Sequence, residues 1–287
     1  MSGGAAPTTR ERFGFAALGV CAGLLVLLVV ALVGYVVSGG WHVLSWQFLT
    51  QPPTNGMRDG GIWPAIFGTI VLMALTSLSA TPLGVACAIY LVEYAREGWF
   101  VRLIRLSIRN LSGVPSVVYG LFGVGLFVNG LGFGPSLLAS GLTLGLLTLP
   151  WTITASEEAL RRVPRSYRDG ALALGATPWE AIWTNVLPAA LPGVLTGIIL
   201  GLARAAGETA PILFTGVTFS RPDMPASLLD TYMALPYHLY ILSTQHQDIV
   251  AVRPVAFATA TVLLGLVLLV NGSAAIVRAR VRARQLE

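Results

Sequence analysis

SEEALRRVPRSYRDGALALGATPWEAIWTNVLP, residues 156–188, is a polar, arginine-rich insert between two long apolar runs. Its charges are Glu157, Glu158, Arg161, Arg162, Arg165, Arg168, Asp169 and Glu180. Connections between neighbouring helices are usually only a few residues long, whereas this one has room for two short helices. Gly175 stands between them, where a residue without Cβ can take a helix-ending turn at no steric cost. Ahead of it Tyr167, Ala171 and Leu174 share one face at helical spacing. A surface of small side chains beside charge suits docking onto another protein. A merely solvated loop is the plainer alternative.

The rest of the chain sets the insert in a membrane. Of 287 residues 55% are hydrophobic and 11% charged, and the mean hydropathy is +0.74. Soluble domains carry about 25% charged residues. All 18 basic residues are Arg, so the chain lacks the lysine that a Walker A loop needs to hold ATP. The net charge of +5 comes from arginines beside apolar runs and does not indicate nucleic acid. Cys21 and Cys87 lie inside apolar runs, which argues for neither a disulfide nor a metal site. His42, His238 and His246 are too scattered for a ligand set and read as surface or interfacial residues.

Six spans are expected, since about 20 apolar residues cross the hydrocarbon core. Residues 13–37 are uncharged, longer than a signal-peptide core and without a cleavage site. The others are 62–92, which Pro82 is expected to kink or divide, then 111–128, 136–155, 189–216 and 254–277. Residues 1–61 thus form an N-terminus expected to be disordered up to residue 12, a first span and an outer connection. Residues 62–277 form the main domain, and 278–287 a basic tail. Fourteen arginines fall on the side of the insert and both termini: Arg10, Arg12, Arg96, Arg102, Arg105, Arg109, the four of the insert and the four of the tail. Arg58, Arg221 and Arg253 fall on the other. The positive-inside rule puts the insert and both termini in the cytoplasm. The outer segment 219–248 is read either as a docking surface or as an interfacial helix.

The fifth span carries Arg204 and Glu208, four residues apart and able to pair on one helical face. Two central charges cost about 2.5–3.5 kcal/mol each on the insertion scale. The ten Leu, Ile, Val and Phe of residues 189–214 return only about 3–6 kcal/mol. This face therefore belongs inside a bundle or against a water-filled path, and Gly197, Gly201, Ala205 and Gly207 permit close packing there. One reading is a station on the route of an anion, because guanidinium presents a planar donor fork to oxyanions. The other is an ion pair that locks helix packing.

Asp169-Gly170-Ala171, then Gly175, then Leu187-Pro188 resemble the EAA loop of ABC-importer permeases, with Asp169 and Gly170 replacing Glu and Ala. In that family the loop docks into a groove of the ATPase subunit. ARAAGETAPILFTG (203–216), SGVPSVVYGLFG (112–123) and PLGVACAIYLVEYA (82–95) resemble the phosphate-specific (Pst) permeases, the first of them the A-type sister subunit. The resemblance covers about residues 62–277. It implies an all-α integral membrane protein of six helices with type I importer (MetI-like) architecture. It implies no cofactor and no catalysis by this chain. Its implied partners are a C-type phosphate permease in a heterodimer, a homodimeric ATP-binding subunit at the coupling loop, an extracytoplasmic phosphate-binding protein and membrane lipid, in the cell membrane of a prokaryote. Arg204, Glu208 and Thr209 are its candidate substrate-pathway residues. Alternatives are a permease for sulfate, molybdate or phosphonate, a secondary transporter or channel, and a membrane enzyme, for which no nucleophile or metal cluster is apparent.

Overall fold

The computed structural model describes residues 9–221 and 223–284. The expectations for residues 1–8 and for the last three residues of the tail lie outside the described residues. Most of the described residues are helical; a short hairpin pairs β1 (Pro53–Thr54) with β2 (Asp59–Gly60), and an irregular stretch before residue 235 includes an isolated bridge of Val217 with Tyr232.

Among the described residues, five helical rods are long and apolar enough to cross a membrane: Gly14–Gly40, Trp63–Tyr94, Leu137–Arg161, Pro178–Gly207 and Ile249–Arg280. The first lies in α1 (Thr9–Gly40) and the last in α12 (Ile249–Arg284). The short α2 (Trp46–Thr50) and the hairpin join α1 to α3 (Trp63–Ile89), which continues as a wider π-type turn through Tyr94. A sixth span would be a bent pair. Its limbs are α4 (Trp99–Ser112) and α5 (Ser116–Gly123), the latter prolonged by a π-type stretch to Gly130, and they meet at 104°. Residues 99–110, which fall between the expected spans 62–92 and 111–128, are therefore helical. Their charges sit on one flank of an amphipathic helix, a pattern that overall polarity hides. Pro82 lies inside an unbroken helix and does not divide it.

α6 (Leu137–Arg161) is the central rod, packed between α3 and α9 (Leu187–Gly207). Small residues allow this approach. A Cβ on Gly84 would lie 2.7 Å from Thr152, and one on Gly197 would lie 2.2 Å from Ala155. The buried hydroxyls of Thr69, Thr76, Thr143, Thr148 and Thr152 return to carbonyls of their own helix. α1 is exposed apolar surface along most of its length, as a lipid-facing helix should be. It touches α12 through Tyr35 against Phe257 and through Gly39 and Gly40, where a Cβ would clash.

The fifth span is shifted from the expected 189–216. It starts at Pro178 in α8 (Pro178–Ala181), passes through a π-type turn (Ile182–Val186), and ends with α9 at Gly207. At Glu208 the backbone becomes extended (φ −74°, ψ 126°), and a separate short helix, α10 (Ala210–Thr215), follows.

The outer segment is not simply a surface helix. Tyr232, Met233, Ala234, Leu235 and Leu242 are buried, the last two in a cluster with Ile62 and Ala65. Leu235 N–H donates to Thr69 Oγ1 at 2.9 Å. The carbonyls of Thr215, Asp230 and Leu228 accept from Ser136, Leu137 and Leu138, occupying donors at the start of α6 that no helical turn could satisfy. His238, in α11 (Leu235–Thr244), corrects the surface reading. It is 1% exposed and stacked on Phe219 with ring centroids 5.6 Å apart.

Candidate translocation and coupling sites

Two constellations stand out, at opposite ends of α9. The first surrounds Arg204, in the last turn of α9, where a cation is favoured by the helix's partly negative end. Its Nε donates to Glu208 Oε1 at 3.2 Å, so the helix break turns Glu208 back toward the arginine. The guanidinium also lies over the Trp151 ring of α6, 5.3 Å from its centroid. The Arg204 side chain is 42% exposed and that of Glu208 17%. The Nη groups of Arg204 make no hydrogen bond among the described residues, which leaves the donor fork open to an oxyanion. Thr209, half-buried, occupies the break itself. Opposite, α5 and α10 pack closely, with Gly120 against Pro211 and Phe214.

The second constellation is the elbow. α7 (Arg165–Ala173) ends at Leu174, and Gly175 takes φ +90°, a conformation that disfavours any residue with a Cβ. Thr177 and Glu180 then close a capping box that starts α8: Glu180 N–H donates to Thr177 Oγ1, and Thr177 N–H to Glu180 Oε2. No residue of α7 is buried, and Leu174 is 91% exposed. Tyr167, Leu172, Trp179 and Trp183 add further exposed apolar surface. Asp169 and Gly170 are exposed on α7, with Ala171 half-buried beside them. Leu187 and Pro188 lie elsewhere, at the start of α9, with Leu187 packed against the cluster of Ile182, Val186 and Ala190.

The elbow's mounting could not be read from the chain. Arg168 Nε donates to both carboxylate oxygens of Glu93 at 2.9 and 3.1 Å, across 75 residues. Its Nη1 donates to Val163 O at 3.0 Å and its Nη2 to Leu160 O at 3.1 Å, capping the end of α6. The paired Glu93 pushes the Arg168 pKa above its usual value. Next to it, Glu157 accepts from Arg105 at 3.0 Å and from Arg161 at 2.9 Å. Glu93 closes an apolar run, whereas Arg105, Glu157, Arg161 and Arg168 each stand among other charges, with nothing in the sequence to pair them. Trp151 gave no signal at all.

An exposed helical elbow beneath a bundle of spans, with a charged station at a helix break, defines a permease, a membrane subunit that a second protein can drive from one side. Residues 80–283 match the family described as the binding-protein-dependent transport system inner membrane component, and the chain belongs to that family. Permeases of this family work with an ATPase and a substrate-binding protein. The chain is 31% identical over 238 residues to the Probable ABC transporter permease protein YqgI of Bacillus subtilis (strain 168), covering 79% of this chain and 81% of that protein. It is 37% identical over 220 residues to the Phosphate transport system permease protein PstA of Mycobacterium leprae (strain TN), covering 75% and 71%. With the protein of that name from Yersinia pestis it shares 37% over 179 residues, covering 62% and 60%. The fold resembles a chain of the inward-facing MetNI methionine ABC transporter, with TM-score 0.59, 16% identity, and 77% and 97% of the two chains covered.

Proposed function

We propose that this chain is the A-type permease of an ATP-driven importer of inorganic phosphate. The observation that carries the reading is the open donor fork of Arg204 at the helix break, held on one side by Glu208 and from beneath by Trp151. Relatives named as phosphate transport permeases support the substrate. An arginine that served only to lock packing would be expected to be buried, with its donors filled, whereas this one is 42% exposed and its Nη groups make no hydrogen bond among the described residues.

In this reading phosphate arrives from an extracytoplasmic binding protein and meets Arg204 on a path shared with a C-type sister permease. Two ATPase subunits dock on the exposed elbow around Gly175 and hydrolyse the ATP, and their closure rocks the bundle between outward and inward access. Glu208 holds the guanidinium between cycles and repels the dianion, which favours release. Both termini and the elbow face the cytoplasm. The domain limits proposed are 1–61, 62–277 and 278–287.

The test is uptake of labelled phosphate by the reconstituted complex. Arg204→Gln is expected to abolish uptake while the ATPase still co-purifies, and normal uptake would overturn the pathway role. Competition by sulfate or molybdate at equal strength would replace phosphate with a broader oxyanion.

A further inference from the structure

Helix α4 takes no part in the fork and reaches the elbow's mounting only through Arg105, yet its surface is sharply divided. Val101, Ile104 and Ile108 face the protein, packed with Leu91 and Ile153. Trp99, Phe100, Leu103 and Leu106 are exposed, Trp99 at 77%. Along one border between these strips, at helical spacing, run Arg102, Arg105 and Arg109. Arg105 is committed inward, to Glu157 at 3.0 Å and to Leu91 O at 3.3 Å. Arg102 and Arg109 are exposed and make no hydrogen bond or ion pair among the described residues. Beside Arg109 a notch of 330 Å³ opens between α4 and α6, with Thr154, Glu157 and Arg161 on its far wall. Its carboxylates are already answered, Glu157 by Arg105 and Arg161, and Glu158 by Arg162 at 3.6 Å. The 104° turn at the end of α4 means that it does not continue the rod that follows.

We infer that α4 lies in the membrane–water interface and binds anionic phospholipid, Arg102 and Arg109 holding the headgroups while Trp99, Phe100, Leu103 and Leu106 sink into the acyl boundary. An apolar strip and a cationic strip side by side along one helix must be covered together, and an anionic leaflet offers apolar depth beneath a negative layer. A protein groove would have to match both strips along the whole helix. The arginine count that places the elbow in the cytoplasm places α4 at the same leaflet. Because Arg105 ties α4 to Glu157 at the end of α6, bound lipid also steadies the mounting of the elbow.

The experiment purifies the full complex and reconstitutes it into vesicles of phosphatidylcholine, with or without a third of the lipid replaced by phosphatidylglycerol. Mass spectrometry then measures the phosphatidylglycerol retained after re-extraction. Each arginine near an anionic surface contributes about fivefold, so Arg102→Gln/Arg109→Gln is expected to lower the enrichment by about 30-fold. Arg102→Lys/Arg109→Lys is expected to retain it, since headgroup attraction here needs charge rather than a fork. Both positions are exposed and unpaired, so folding is not at stake. Unchanged enrichment in the Gln pair overturns the inference. So does displacement of the lipid by added inorganic phosphate, which would make this a free-anion site, or loss of the ATPase from the Gln pair in both vesicle types, which would make α4 a protein contact. Each readout is independent of phosphate transport.

Discussion

Replacing Glu93 with Gln should loosen the elbow without touching its docking surface. α7 buries no residue of its own, so its position rests largely on Arg168. The pair is well shielded, the Glu93 side chain 8% exposed and that of Arg168 20%. Removing one partner of a buried pair costs about 3–5 kcal/mol. Gln keeps the shape and one acceptor oxygen, and hydrogen bonds to charged groups are worth about 1.5–3 kcal/mol, so about 2–3 kcal/mol is the expected loss. At about 1.4 kcal/mol per tenfold, that raises the population of detached α7 by about 30- to 150-fold. Hydrogen–deuterium exchange of the peptide covering residues 163–176 reads this directly, with the centre of α6 as internal reference. The complex carrying the variant should also move less phosphate for each ATP that its ATPase subunits hydrolyse. An exchange rate within about threefold of the parent, an opening change below about 0.7 kcal/mol, would show that something other than this pair mounts the elbow.

Three further outcomes are expected. Gly175→Val meets no neighbouring atom but forces a β-branched residue to φ +90°, a cost of about 1–3 kcal/mol, so ATPase co-purification should fall while the bundle stays intact; an unchanged pull-down would count against docking at the elbow. Trp151→Leu removes a cation–π contact worth about 0.5–2 kcal/mol and should raise the KM for uptake by about two- to 30-fold with assembly unaffected, and an unaltered KM would separate the tryptophan from the path. The His238 ring is buried without a hydrogen-bond partner among the described residues, and burial lowers its pKa from 6.5 to about 4. Its neutral form is the folded one, so the outer segment keeps full stability above pH 6.5 and loses it as the pH falls toward 4, about 2 kcal/mol by pH 5. Exchange of residues 231–244 between pH 7 and pH 5 should show this loss, and His238→Phe should abolish the pH dependence.

What the chain disclosed and what it withheld divide along physical lines. Uncharged runs such as residues 13–37 declare themselves because the hydrocarbon core admits little else. Gly175 was legible because a positive φ leaves few candidates, and the Arg204–Glu208 pair because helical spacing brings i and i+4 together. The shift of the fifth span to Pro178 was hidden by the polar residues at the start of the rod, Glu180 and Thr184, which are exposed, and Asn185, which is half-buried. The helix break at Glu208 was hidden for the opposite reason, since apolar residues continue through Phe214. His238 looks like any polar residue in a connection until Phe219 and the buried stretch around Leu235 close over it. Glu93 and Arg168 are each an ordinary charge, and only the folded bundle makes them a pair.

Those late-found residues also suggest how a push on the elbow reaches the anion's path. α6 carries Glu157 and the Leu160 carbonyl at the elbow end, and Trp151 six residues earlier, about 9 Å along the axis. Pro150 lies next to Trp151 and removes a backbone donor, which makes the natural place for the lower part of α6 to tilt. A tilt of about 15° at Pro150, the size of familiar rigid-body transitions, displaces the elbow end of that lever by about 2 Å and swings a ring standing about 6 Å off the axis at Trp151 by about 1.5 Å. The contact at risk is only 5.3 Å long and works within about 6 Å, so a shift of that size can make or break it. Arg204 would then be held by Trp151 and Glu208 in one state and by Glu208 alone in the other. On this account Trp151→Leu changes the KM and the substrate stimulation of ATP hydrolysis together. If the KM moved and the stimulation did not, Trp151 would shape the path without carrying the signal.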